Sequence, residues 1–288
     1  MEWFHFALIA GIAWGIVSGF TKKLLEKHSV IEFSFIIHFI ALIVYTPYFL
    51  YLSSIHDLAL LGVIFAIVSG IFNIAGVYLY NDSIKIGKLS EEIPLTRTTP
   101  VFTAVLGFVI LGESMDILKG TGILLVTFGS VLIMKDSETS ILTSIKGLMG
   151  RKPAIIAILS ALVYSFAAII DRTGTQILAP ELYTFFIYLT LATAFLMLNL
   201  GNGNNLTNIY TKFTSNRNVY VLASLLTLIG SFSIFQAFSR AEASLVIPLL
   251  QIQVLIAIII GREYFHEENI LMKIIGSLVL IVGIILLV

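Results

Sequence analysis

The chain has 288 residues, 58% of them hydrophobic and only 12% charged, and its 17 Lys/Arg balance its 17 Asp/Glu. A soluble domain carries about a quarter charged residues, so most of this surface must face lipid rather than water. Zero net charge favours neither a nucleic acid nor an acidic partner, and the absence of cysteine excludes disulfides and thiolate metal sites.

The charges fall in clusters between apolar stretches of about 18–25 residues, the length a helix needs to cross hydrocarbon. Nothing alternates as ten-residue barrel strands would. Spans are predicted at 3–24, 31–52, 58–80, 89–111, 117–134, 154–177, 182–200, 218–239, 243–263 and 270–288. The first begins at Trp3 without a basic region before it or a small-residue cleavage site after it, so it is predicted to be a permanent span. Most connections are short, and the two longer polar intervals are 135–152 and 201–217. The former divides the chain into units 1–134 and 154–288 joined by a linker, 135–153.

In chain order, Gly11, Gly15 and Gly19 line one face of the first span above Ala7. Small residues at this spacing let helix backbones approach closely, within one chain or across a homodimer. His38 is the histidine well inside an apolar run, and its expected role is a bond to a neighbouring helix. Asn73, Tyr78 and Tyr80 place polar groups on the third span.

The fourth span carries Pro94, Arg97 and Pro100. Each proline removes a backbone donor and frees a carbonyl one turn back, which a membrane tolerates only where protein, water or a ligand satisfies the freed group. Arg97 lies about eight residues in, some 12 Å deep in a core of ~30 Å. A guanidinium there costs at least ~2.5 kcal/mol on insertion scales. Glu113 and Glu267 are expected at interfacial turns, each capping the next helix. Gln236, Gln251 and Gln253 add amides to the eighth and ninth spans.

The two units align without gaps. Sliding 77–134 by 154 positions matches Ser90 with Ser244, Ile93-Pro94-Leu95 with Ile247-Pro248-Leu249, Gly107 with Gly261, Glu113 with Glu267, Lys119 with Lys273, Gly122 with Gly276 and Gly129 with Gly283. A shift of 150 brings Gly11, Trp14, Gly15 and Thr21-Lys22 onto Ala161, Tyr164, Ser165 and Asp171-Arg172. Leu and Ile matches are cheap in apolar sequence, whereas proline, glutamate and glycine in one register are not. The predicted fold is therefore an all-α integral membrane protein of ten transmembrane helices in two five-helix repeats. Five is odd, so the second repeat enters from the opposite side, the inverted architecture of secondary transporters. Arg97 aside, thirteen Lys/Arg fall in odd-numbered connections and three in even ones, which by the positive-inside rule puts both termini outside.

Thr99-Pro100-Val101-Phe102-Thr103-Ala104-Val105, then Leu111-Gly112-Glu113, then Gly122 and Gly129, resemble the EamA-type repeat of the drug/metabolite transporter superfamily. Ile12-Ala13-Trp14-Gly15 fits the same pattern. The resemblance implies ten helices in two inverted repeats, both termini in the cytoplasm, and export or exchange of small metabolites such as amino acids, sugar phosphates or drugs. The second repeat departs from it: Val254 and His266 stand where Pro100 and Gly112 stand, so the geometry of the fourth helix does not carry over to the ninth.

The functional expectation is a multi-pass carrier of the cell membrane that moves a small polar, anionic or zwitterionic metabolite by alternating access, with no cofactor. Its partners are that substrate and the lipid bilayer, with a homodimer the alternative use of the first-span glycines. Arg97, Gln251, Gln253, Asn73, Tyr80, Gln236 and Trp14 are the candidate substrate-binding residues. Arg97 would hold a carboxylate or phosphate through its planar fork, facing Gln251 across the pseudo-symmetry axis. Two other classes compete. A channel or structural subunit would lack saturable uptake. A membrane-embedded enzyme needs a reactive constellation, and no H-E-x-x-H or paired midspan acid occurs, Asp82 and Asp171 being expected near interfaces. Without a midspan carboxylate, exchange or facilitated transport is expected over proton antiport.

Overall fold

The computed structural model describes residues 1–25, 28–86, 96, 98–133, 152–256 and 270–288. Among them every regular element is helical: α1 (Trp3–Leu25), α2 (Val30–Ser53), α3 (Leu60–Ile86), α4 (Thr99–Leu106) running into a π-helical turn (Gly107–Leu111), α5 (Ile117–Ile133), α6 (Lys152–Ile177), α7 (Pro180–Gly201), α8 (Leu206–Ser215), α9 (Arg217–Phe238), α10 (Ala243–Leu249) and α11 (Ile270–Leu287). Local chemistry sets the ends. Ser29 and Glu32 form a reciprocal capping box that starts α2, and α7 opens on Pro180, whose missing N–H would be unsatisfied there anyway. α8 stands in the interval 201–217, where the sequence pattern indicates only a polar connection.

Five helices are long and apolar enough to cross a bilayer by length and composition: Val30–Ser53, Leu60–Ser83, Lys152–Ile177, Pro180–Gly201 and Arg217–Phe238. The solvent profile is inverted relative to a soluble protein. Ile117 is 90% exposed and Val109 71%, while Glu32, His38, Glu113, Lys119, Asp171 and Gln251 are buried. In water that arrangement would leave large apolar patches open and charges desolvated; in lipid it is the arrangement expected of a bundle.

The main helix pairs each join the first half to the second: α3 with α6, α1 with α9, α2 with α7, and α5 with α11. Two contacts repeat across the halves. The Trp14 indole lies against Gly230, where an added Cβ would sit 2.5 Å from Nε1, and the Tyr164 ring lies against Gly76, at 2.9 Å by the same measure. Trp14 and Tyr164 are register partners, as are Gly76 and Gly230, so α1 on α9 and α6 on α3 are built alike. At the α5–α11 crossing, a Cβ on Gly129 would lie 2.6 Å from the Leu280 nitrogen, and one on Gly283 2.7 Å from that of Val126. Only glycine lets these backbones meet.

From the connectivity, one end of the bundle gathers the start of α1, the end of α2, the starts of α3, α5, α7 and α10, and the ends of α6 and α9. We refer to it as the near end. The far end gathers the starts of α2, α6 and α9, the end of α3 and α8.

Candidate transport site at the broken helices

The ninth span is not one helix. α10 stops at Leu249, residues 250–251 form a turn, and helix resumes over 252–256. Pro248 cannot donate to the preceding turn, and the chain crosses the break on three-residue bonds: Gln251 N–H to the Pro248 carbonyl at 3.0 Å, Gln253 N–H to Leu250 at 3.0 Å and Val254 N–H to Gln251 at 2.9 Å. Gln251, at the break, is 3% exposed, and its Oε1 has no hydrogen-bond partner among the described residues. An unmet acceptor in a low-dielectric interior costs roughly 1–3 kcal/mol.

On the fourth span α4 begins at Thr99, with Thr98 as its N-cap and a proline in its first turn. That start falls in register with residue 253, two positions after Gln251. Thr103 is fully buried, and its hydroxyl also lacks a partner among the described residues. The Ser165 hydroxyl donates to the Thr99 carbonyl at 3.2 Å, tying α6 to this start. On the other side α1 closes against the ninth span: a Cβ on Gly11 would strike Ile252 and approach the Leu250 carbonyl, and one on Gly15 would lie 2.9 Å from the Gln253 carbonyl. The first-span glycines thus seat α1 on the broken backbone within one chain.

At the near end the two spans are clamped together. Gly112 adopts φ +66°, a left-handed turn that costs little only for glycine. It sends Glu113 back over Gly107, where any Cβ would collide with the carboxylate. Glu113 Oε1 accepts the Ala243 N–H at 2.7 Å, Oε2 accepts the Ser244 N–H at 3.1 Å, and the Ser244 hydroxyl also donates to Oε2. Glu113 therefore caps α10 in the other half of the chain, not the next helix as its position suggests. The next helix, α5, is capped by Asp116, which accepts the Lys119 N–H at 2.7 Å. Glu242 returns the contact: it pairs with Lys119, whose ammonium also donates to the Ser114 carbonyl at 2.7 Å. Glu267 lies outside the described residues.

A second polar cluster joins α3, α6 and α7. Asp171 Oδ1 accepts from the Ser69 hydroxyl and, at 2.8 Å, from the Tyr183 hydroxyl. Asn73 Nδ2 donates to the Ser69 hydroxyl and carbonyl, both at 3.0 Å. Ser69 is nine residues into α3, Asp171 six residues before the end of α6 and Tyr183 three residues into α7, so the carboxylate, expected near an interface, lies toward the near end but buried among three helices. Its burial was not legible from its place in the span, because burial depends on which helices surround a residue. Arg172 turns the other way and donates to the Phe238 carbonyl at 2.5 Å.

The candidate residues fall in separate places. Gln251, Gln253 and Trp14 belong to the α1–α9–α10 junction. Asn73 belongs to the Asp171 cluster. Gln236 is buried at the end of α9, donating to Glu181 Oε1 at 2.6 Å and accepting from Arg240 at 2.5 Å, while the Arg240 guanidinium stacks over Phe6 at 4.9 Å. Tyr80 is partly buried on α3. Arg97 lies outside the described residues. His38 bonds its own helix, donating Nδ1–H to the Ser34 carbonyl at 2.7 Å, with its ring stacked on Phe195.

Apolar helices with lipid-exposed flanks around buried polar clusters define an integral multi-pass membrane protein. The EamA-like transporter family model matches residues 1–135 and 151–288, and the chain belongs to that family. Its members are membrane transporters of the drug/metabolite superfamily and not enzymes. A solved structure titled only "Crystal structure of protein" has the same fold, with a TM-score of 0.74 over 99% of this chain and 95% of that one, at 12% identity. No curated protein sequence matches the chain.

Proposed function

We propose that the chain is a secondary carrier of a small polar metabolite, anionic or zwitterionic, with ten spans in two inverted five-helix repeats that alternate access to one site. The observation that carries the reading is the break at residues 250–251, which leaves a buried amide oxygen without a partner among the described residues where the register places the counterpart of Arg97. Discontinuous helices near the midplane are where secondary transporters bind substrate, and unmet polar groups there are groups a substrate can satisfy. Arg97 supplies the charge that favours a carboxylate or phosphate. The Glu113 clamp supports a state shut at the near end, since opening there must release both ends of the fourth-to-ninth contact.

The test is uptake into proteoliposomes containing purified protein. Saturable, competable uptake of an acidic or zwitterionic metabolite is expected. Gln251→Ala should lower it about tenfold and Arg97→Gln should abolish recognition of the acidic group, with Arg97→Lys intermediate. Unsaturable leak, or Arg97→Gln transport equal to that of the unaltered chain, would overturn the proposal.

A further inference from the structure

At the far end, away from the broken helices, a cavity of about 540 Å³ opens between the start of α2, the end of α3, the α7–α8 connection and α8. Its lining includes Glu32, Lys85, Asn202, Asn204 and Lys212. The charges of its described lining do not balance. Lys212 spends its ammonium on Glu32, at 2.7 and 2.8 Å to the two oxygens, and that pair is internally neutral. Lys85 faces no carboxylate among the described residues; its ammonium reaches only the His28 carbonyl, at 3.3 Å. Among the described residues the lining therefore holds one uncompensated positive charge. Asn202 stands exposed at its rim.

Its setting points to the occupant. α8 forms the rim and is amphipathic: Ile209 is buried, while Leu206 and Tyr210 stay 49% and 65% exposed. An apolar face beside a lysine, on a short helix at the end of a membrane bundle, is how a helix lies in the headgroup layer, and tyrosine favours that level. Basic pockets between membrane helices in this layer bind phosphate-bearing headgroups.

We propose that this cavity binds a phosphate group carrying net negative charge, presented by an anionic phospholipid whose chains lie along α8 and α3. Lys85 holds the phosphate as a point charge, and the Glu32–Lys212 pair fixes α8 as the wall of the site. The proposal is independent of the transport reading, because binding is measured without transport.

Purified protein in neutral detergent is titrated with phosphatidylglycerol, phosphatidylcholine or inorganic phosphate, while thermal unfolding and native mass spectrometry report binding. Phosphatidylglycerol should raise the unfolding midpoint saturably and remain bound in the mass spectrum, with phosphatidylcholine weaker. Lys85 is exposed, so its substitution should leave the fold intact. Lys85→Ala should weaken phosphatidylglycerol binding about fivefold, and Lys85→Glu should remove the preference for it. A Lys85-dependent shift produced equally by inorganic phosphate would keep the site and assign it a soluble ligand. Equal retention of the two lipids by the unaltered chain, or unchanged affinity in Lys85→Ala, would overturn the proposal.

Discussion

The same register builds the two ends of the molecule differently. At the near end Asp171, Ser69, Asn73 and Tyr183 form one hydrogen-bonded knot across three helices. Their register counterparts at the far end are Thr21, Ala223, Thr227 and Phe33. There, among the described residues, Thr21 and Thr227 bond only carbonyls of their own helices, at 3.0 and 2.7 Å, and Ala223 and Phe33 are plain core. Backbone packing is retained in both places, as the Trp14–Gly230 and Tyr164–Gly76 contacts show. The difference lies in polar bonds between helices, which are directional and stiff where apolar packing can slide. The α3–α6 pairing is therefore expected to be stiffer than its register counterpart α1–α9.

The largest test of that contrast is Asp171→Ala. It leaves two hydroxyl donors buried without an acceptor, at roughly 1–3 kcal/mol each, so a loss of about 3 kcal/mol is expected in denaturant unfolding in detergent. Thr21→Val, the counterpart change, should cost under about 0.5 kcal/mol by the same measurement. Equal losses would erase the distinction between the ends.

Glu113→Gln comes next. An amide offers one acceptor where the carboxylate offers two, and the charge at the start of α10 is lost, for about 1.5 kcal/mol. The chain has no cysteine, so a single Thr103→Cys reports opening. Its labelling by a membrane-impermeant thiol reagent should quicken about tenfold in the Glu113→Gln background. Unchanged labelling would mean that the clamp does not gate the near end.

A smaller loss than that at Glu113 is expected for Gly112→Ala. Nothing lies within 4 Å of an added Cβ, so the cost is the left-handed backbone alone, about 1 kcal/mol. Thermal unfolding with transport largely preserved is expected. A collapse of transport would show that the turn itself moves.

How much of this was legible follows from the range of each signal. Hydropathy and helix length are properties of contiguous residues, so the bounds of α1, α2, α5, α7 and α9 lie within two residues of the predicted spans. Glycine spacing showed that close helix crossings exist at Gly11, Gly15, Gly122 and Gly129, and the prolines marked where a span could break. The break at residues 250–251 appears just after Pro248, although Val254 stands where Pro100 does. α8 was hidden by its polar composition: ten residues with one buried side chain carry little hydropathy signal.

What the sequence determined by itself is the class of the protein: a lipid-facing helical bundle of two related halves, since charge scarcity and residue spacing are readable along one dimension. What only the tertiary structure decided is the partner of each polar group. Glu113 reaches Ala243 and Ser244, 130 and 131 positions away, and Asp171 reaches Ser69 across 102. A carboxylate in a low-dielectric interior must find donors or lose its charge. Which donors it finds depends on the helices that happen to be adjacent, and adjacency is settled only when the whole bundle has packed.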